Sequence, residues 1–166
     1  DVFFPYPSLY PEQFAYMCEL KKALDADGHA LLEMPTGTGK TACLLALVTA
    51  FQHAHPEAGK LIYCTRTVPE MEKCLAELKR LRKYRDEVRG ANAPKAPFLA
   101  LCLSSRRNLC VLDEVVNRTD RESVDAECRK RTASWVREAR AQTGSGPCCS
   151  FHDTWAALGT DAQIPD

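Results

Sequence analysis

The sequence predicts an α/β fold: a parallel P-loop sheet with crossover helices over residues 1–103, then a small, mainly helical domain over 104–166. Three observations predict it. Short apolar runs alternate with stretches of helical periodicity up to about Ser104. A Gly-rich loop, Pro35-Thr36-Gly37-Thr38-Gly39-Lys40-Thr41, sits between the first such run and the next helix. After Ser104 the alternation stops and the chain turns helix-leaning and charge-rich.

Each element follows in order. An aromatic, proline-rich lead over residues 3–10 reads as extended, and Pro11 suits the first position of a helix. Residues 12–24 repeat apolar side chains at helical spacing until Gly28 breaks the pattern. Residues 29–34 form a short apolar strand, 35–39 a loop, and 40–53, mostly Ala, Leu, Val and Thr, a buried helix. A turn at 55–59 leads to a second strand at 60–64. An amphipathic helix follows at 68–84, with Met71, Cys74, Leu75, Leu78 and Leu81 on one face. Residues 90–97 read as a loop and 98–103 as a third strand. Residues 109–141 lean to helix, and 143–147 are a Gly/Ser/Pro linker.

With 166 residues, 45% apolar and 27% charged, the composition is that of a soluble globular chain with one ordinary core, marginal for two. The longest apolar run, residues 42–51, falls short of the ~18–20 residues that span a bilayer, so no membrane partner is expected. The chain opens without Met and without a basic leader, and its end at Ile164-Pro165-Asp166 reads as a cut, so a piece of a larger protein is expected. Nine cysteines, an odd number with no secretory signal, disfavour a disulfide framework. The five before Ser104 read as small buried hydrophobes. The zero net charge hides segregation: residues 1–78 sum to −4, 79–140 to +7 and 141–166 to −3. The basic middle reads as a footprint for a polyanion or as a solvated helical face.

A strand that ends in a Gly-rich turn and feeds a helix builds an anion site. The loop N–H groups and the positive end of the helix dipole converge on one spot. Gly37 and Gly39 let the backbone approach phosphate, Lys40 brings a mobile cation to the β- and γ-phosphates, and the Thr41 hydroxyl is a ligand for Mg²⁺. ATP is therefore the expected ligand. Met34 stands where the general motif has its first Gly.

The string Leu32-Glu33-Met34-Pro35-Thr36-Gly37-Thr38-Gly39-Lys40-Thr41 resembles motif I of superfamily 2 DNA helicases, which commonly drop that first Gly. The lead Phe4-Pro5-Tyr6 with Tyr10-Pro11-Glu12-Gln13, and the stretch Leu61-Ile62-Tyr63-Cys64-Thr65-Arg66-Thr67-Val68-Pro69-Glu70, resemble the XPD family specifically. These are the iron–sulfur DNA helicases of the transcription and repair factor TFIIH, and the similarity runs from about Phe3 to at least Phe151. The resemblance implies a RecA-like first motor domain, here partial, and a partial iron–sulfur domain. It implies ATP-driven 5′→3′ unwinding of DNA at single strands and forks in nucleotide excision repair and transcription initiation. The other TFIIH subunits would be partners and the nucleus the location. It matches Gln13 to the adenine-sensing glutamine, and Thr65, Arg66 and Thr67 to the single-strand DNA track. Thr67 also suits a helix N-cap ahead of Pro69.

Cys110, Cys128 and Cys149 fall where the family keeps three of the four ligands of a [4Fe–4S] cluster, with Cys148 the fallback for Cys149. By themselves, spacings of 17 and 20 intervening residues form no metal signature and read as free thiols or a zinc site. The fourth cysteine would come roughly thirty residues past the third by the resemblance, beyond Asp166. No Walker-B acidic box and no arginine finger appear, and Glu12, Glu114 and Glu127 sit in no strand-terminal acidic pair. The expectation is thus the N-terminal portion of a helicase, inactive as an ATPase alone. A stand-alone P-loop module and a zinc-binding interaction domain are the alternatives.

Overall fold

A computed structural model describes residues 1–90, 98–117 and 120–158. The chain divides into two units, Asp1–Cys102 and Leu103–Asp166.

Among the described residues of the first unit three α-helices form its frame: α1 (Pro11–Asp25), α2 (Lys40–Ala54) and α3 (Val68–Arg89). Helix α2 is the centre, with α1 and α3 both packed on it. It can be the centre because it is apolar on every side: Ala42, Cys43, Leu45, Ala46, Leu47 and Val48 are all buried. One core cluster joins Met17, Cys43 and Leu47, with Phe4, Tyr16, Leu20 and Leu24 packed around them. The other joins Leu45, Ala46 and Leu81, covered by Phe3, Phe4, Cys74 and Leu78. Phe4 of the lead touches both, so the lead is part of the core rather than a tail. Tyr6 fastens it further: its hydroxyl donates to Glu77 Oε2 at 2.5 Å and accepts from Arg80 Nη1 at 2.8 Å, and the Arg80 guanidinium lies 5.3 Å from its ring centre. Helix α3 begins at an N-cap, Thr67, whose Oγ1 accepts the Glu70 N–H at 3.4 Å, and ends where Gly90 turns to φ 83°.

The parallel sheet expected at residues 29–34, 60–64 and 98–103 is a correction. Among the described residues no strand is formed; these segments run without ladder hydrogen bonds. A parallel strand is held by lateral partners and by helices covering both its faces. Neither is in place: Leu31 is 100% exposed and Ile62 84%, where a sheet interior would bury both. Cys64, expected to be a buried hydrophobe, is exposed for the same reason, whereas Cys43 is fully buried.

Among the described residues of the second unit five short helices follow one another: α4 (Arg106–Leu109), α5 (Asp113–Val116), α6 (Arg121–Thr132), α7 (Ser134–Thr143) and α8 (Ser150–Leu158). Helix α6 is the hub, meeting α4, α5 and α7. Val115 of α5 and Val124 of α6 are buried. Arg131 is buried too, bonded to Glu127 and 3.9 Å from Glu114 Oε2. A charge out of water needs such partners. Arg140 Nη2 ties α7 to α8 by donating to Asp153 Oδ2 at 2.6 Å. This guanidinium holds the Asp153 carboxyl below its ordinary pKa. Among the described residues no helix is long and apolar enough to cross a membrane.

Candidate nucleotide-binding site

The loop of residues 35–41 takes its shape from two glycines. Gly37 (φ 84°) and Gly39 (φ 83°, ψ 26°) are both left-handed, a region that costs a residue with a Cβ about 1 kcal/mol or more. Gly39 is the N-cap of α2, and its carbonyl accepts the Cys43 N–H at 3.1 Å, so the helix begins at Lys40. The orphan N–H groups of the first turn and the positive helix end therefore face the loop.

The Lys40 ammonium does not point away into solvent. Its Nζ donates to the carbonyls of Met34 at 2.6 Å and Pro35 at 2.9 Å, across the mouth of the loop. The Thr38 hydroxyl donates to the same Pro35 carbonyl at 2.6 Å. Met34, which stands in place of a glycine, is buried and contributes its backbone to this arrangement. Thr36 and Gly37 are exposed at the outer bend. Thr41, one residue into α2, has its Oγ1 3.3 Å from the hydroxyl of Tyr63. Sequence reasoning did not single out Tyr63: it is one aromatic among several, and no spacing rule brings it to Thr41.

Gln13 joins the same site from α1. It is 6% exposed, donates from Nε2 to the Thr38 carbonyl at 2.8 Å and accepts the Tyr10 N–H on Oε1 at 3.0 Å. Nearby, burial raises the Tyr16 phenol and the Cys43 thiol above their ordinary pKa values, so both remain neutral at pH 7. Mg²⁺ takes few protein ligands and completes its shell with phosphate oxygens and water, so a single hydroxyl, Thr41, fits that demand. Among the described residues no group of three or more His, Cys, Asp or Glu side chains is gathered that could hold a metal ion by protein ligands alone.

Thr65, Arg66 and Thr67 stand at the entrance to α3. The Thr65 hydroxyl donates to the Thr67 carbonyl at 3.2 Å. Arg66, 90% exposed in its side chain, donates through Nη2 to Glu70 Oε1 at 3.0 Å, while its backbone N–H meets Glu70 Oε2 at 3.1 Å. Arg66 holds the Glu70 carboxyl below its ordinary pKa. The guanidinium is thus oriented yet open to a phosphate.

The cysteines are not brought together. Cys110 follows α4, Cys128 lies within α6 and Cys149 precedes α8; all three are half-buried, Cys148 is exposed, and no metal group forms among the described residues. Thiols attract one another weakly, and packing alone does not converge them; a metal site is ordinarily formed together with its metal.

The sequence pattern of the DEAD_2 family matches residues 63–165, and that of the type III restriction enzyme res subunit matches residues 7–95. Among curated relatives, the helicase subunit XPD of general transcription and DNA repair factor IIH from Arabidopsis thaliana is 52% identical over 99% of the chain and 21% of its own length. Its counterpart from Schizosaccharomyces pombe is 53% identical over 98% of the chain and 21% of its own length. XPD/RAD3 of Saccharomyces cerevisiae is 41% identical over 99% of the chain and 21% of its own length. The chain spans about a fifth of the length of these relatives. Helicase families of this kind carry the RecA-like P-loop fold, whose sheet is not formed among the described residues. With the left-handed glycines, Lys40 and Thr41 placed at one helix start, and the family pattern matched over more than half of its length, the chain belongs to the DEAD_2 family.

Proposed function

We propose that this chain supplies the ATP-binding part of the first motor domain, residues 1–103, and part of an iron–sulfur domain, residues 104–166, to an ATP-dependent 5′→3′ DNA helicase. The helicase acts within TFIIH, which the printed names of the curated relatives, helicase subunits of general transcription and DNA repair factor IIH, support; its action in nucleotide excision repair and transcription initiation, in the nucleus, rests on the family resemblance. One observation supports the reading most: a left-handed Gly39 caps α2, with Lys40 and Thr41 as the first two residues of the helix.

The residues would act as follows. N–H groups of residues 37–41 bind the β- and γ-phosphates of ATP, helped by the helix dipole. Lys40 exchanges the Met34 and Pro35 carbonyls for phosphate oxygens. Thr41 presents its hydroxyl to Mg²⁺, which neutralises phosphate charge during transfer. Gln13 keeps one N–H and one lone pair beyond those it already uses, which is what a bidentate contact with the adenine edge requires. Thr65, Arg66 and Thr67 contact the backbone of single-stranded DNA. Water activation and the arginine fingers come from elsewhere in the helicase. Cys110, Cys128 and Cys149 would hold a [4Fe–4S] cluster with a fourth ligand from outside this chain; the support is the family resemblance, and no step of the motor is routed through it.

The test uses the intact protein, purified anaerobically, on a duplex with one single-stranded tail. Strand displacement should require ATP and a 5′ tail, and iron and acid-labile sulfide should each approach four per chain. Displacement from a 3′ tail alone would refute the polarity, and a protein containing zinc with no sulfide would refute the cluster.

A further inference from the structure

Gln13 is bound on both sides before any base arrives. Its amide has one satisfactory orientation, because Tyr10 offers an N–H and Thr38 offers a carbonyl. One link is local: Gln13 is the third residue of α1 and reaches back to the N–H of the N-cap residue, as in half of a capping box. The other spans 25 residues and ends on the loop, at the carbonyl just before Gly39. A Cβ placed on Gly39 would meet Gln13 Nε2 at 2.8 Å, so the amide lies directly against the turn that starts α2. The side chain is 6% exposed, which removes competition from water at these bonds.

The residue's supports come from the lead. Phe4 sits in both core clusters and Tyr6 is bonded to Glu77 and Arg80 of α3, so the start of α1 is anchored independently of the loop. A donor anchored in this way fixes the Thr38 carbonyl. It thereby fixes the peptide that joins Thr38 to Gly39, whose N–H is one of those facing the phosphates.

We infer that Gln13 is a positioning residue of the phosphate loop, acting through Thr38 and Gly39 whether or not a base is bound. The inference rests on the loop's being a triphosphate site. It separates from base reading because the two roles answer differently to a ligand with phosphates and no base. A pure adenine reader has no effect on tripolyphosphate; a loop brace does.

The experiment is calorimetric titration of the intact protein with Mg²⁺-tripolyphosphate and with Mg²⁺-ATP. The variants are Gln13→Met, which keeps the volume and loses both bonds, and Gln13→Asn, which keeps an amide one methylene too short to reach Thr38. The Asn variant also keeps the test open if the apolar one unfolds. Both should weaken tripolyphosphate about five- to tenfold, the scale of one buried hydrogen bond, and ATP at least as much. Unchanged tripolyphosphate binding in a folded variant, with ATP weakened, overturns the inference and leaves Gln13 a base reader. Leu20→Ala, which loosens the same helix away from the loop, should lower the melting temperature and leave tripolyphosphate affinity alone. An equal loss there would mean general loosening and would also overturn it. Lys40→Ala reports on the underlying reading: tripolyphosphate binding that ignores Lys40 sinks the phosphate site itself.

Discussion

Removing the Lys40 ammonium tests the site at its most charged point. The structure lets the magnitude be bounded. The ammonium already makes two short bonds to the carbonyls of Met34 and Pro35. Binding a triphosphate therefore exchanges neutral acceptors for anionic ones instead of creating contacts from nothing. A hydrogen bond between charged partners contributes about 1.5–3 kcal/mol against about 1 kcal/mol for a neutral one. Lys40 is half-buried, and solvent weakens its attraction to phosphate. The expected loss in Lys40→Ala is then about 1.5–2.5 kcal/mol, or about 10- to 60-fold in the Kd for Mg²⁺-ATP. Titration calorimetry on the intact protein measures it, with Lys21→Ala as a control in which a surface ion pair to Asp25 is lost and affinity stays within about twofold. Lys40→Arg should not rescue binding, since a planar fork does not replace a point charge in a loop shaped around it. An affinity within about twofold of the wild type in a folded Lys40→Ala protein would refute the reasoning. The ammonium would then belong to the turn alone.

Leu81→Ala empties a position where α3 meets Leu45 and Ala46 of α2, and should lower unfolding free energy by about 2–5 kcal/mol in urea titration. Glu70 has a folded-state pKa below its ordinary 4.5 because of Arg66, so its stabilising contribution is present above that value and is lost as pH falls through the lowered one; Glu70→Gln should flatten this part of the acid limb in thermal melts, and an unaltered limb would count against the pair. In a timed alkylation read by mass spectrometry, exposed Cys64 should react well before Cys43, which is fully buried and whose thiol pKa burial raises. Equal rates would contradict the placement of α2.

The turn at residues 35–39 and the helix start after it were legible because everything that shapes them is local. Two glycines, a lysine and a threonine within five residues specify a turn, a helix start and a cation, whatever the rest of the chain does. The first helix was legible from its periodicity and the second from its unbroken apolar composition. Helix α3 runs to Arg89, five residues beyond the apolar pattern, because its last turns are exposed and carried by charge pairs at i and i+4, Arg82 with Asp86 and Lys83 with Glu87. Contacts between distant parts of the chain left no such trace. Tyr6 meets Glu77 across 71 residues, Gln13 meets Thr38 across 25 and Tyr63 meets Thr41 across 22, and no pattern along the chain announces any of them.

Strands and metal ligands share one dependence that a sequence does not spell out: each is defined by a partner elsewhere. The run at 60–64 has the composition of a buried strand, yet composition supplies neither a neighbour to accept its N–H groups nor a helix to cover Ile62. Three cysteines separated by 17 and 20 residues have the chemistry of ligands, and their convergence depends on the path of α5 and α6 between them. A helix N-terminus differs in kind. Its unpaired N–H groups and dipole exist as soon as the first turn forms, so an anion site there needs only the loop that precedes it. For that reason the helix start at Gly39, Lys40 and Thr41 on which the proposed anion site rests is in place, while the sheet expected beside it does not form among the described residues.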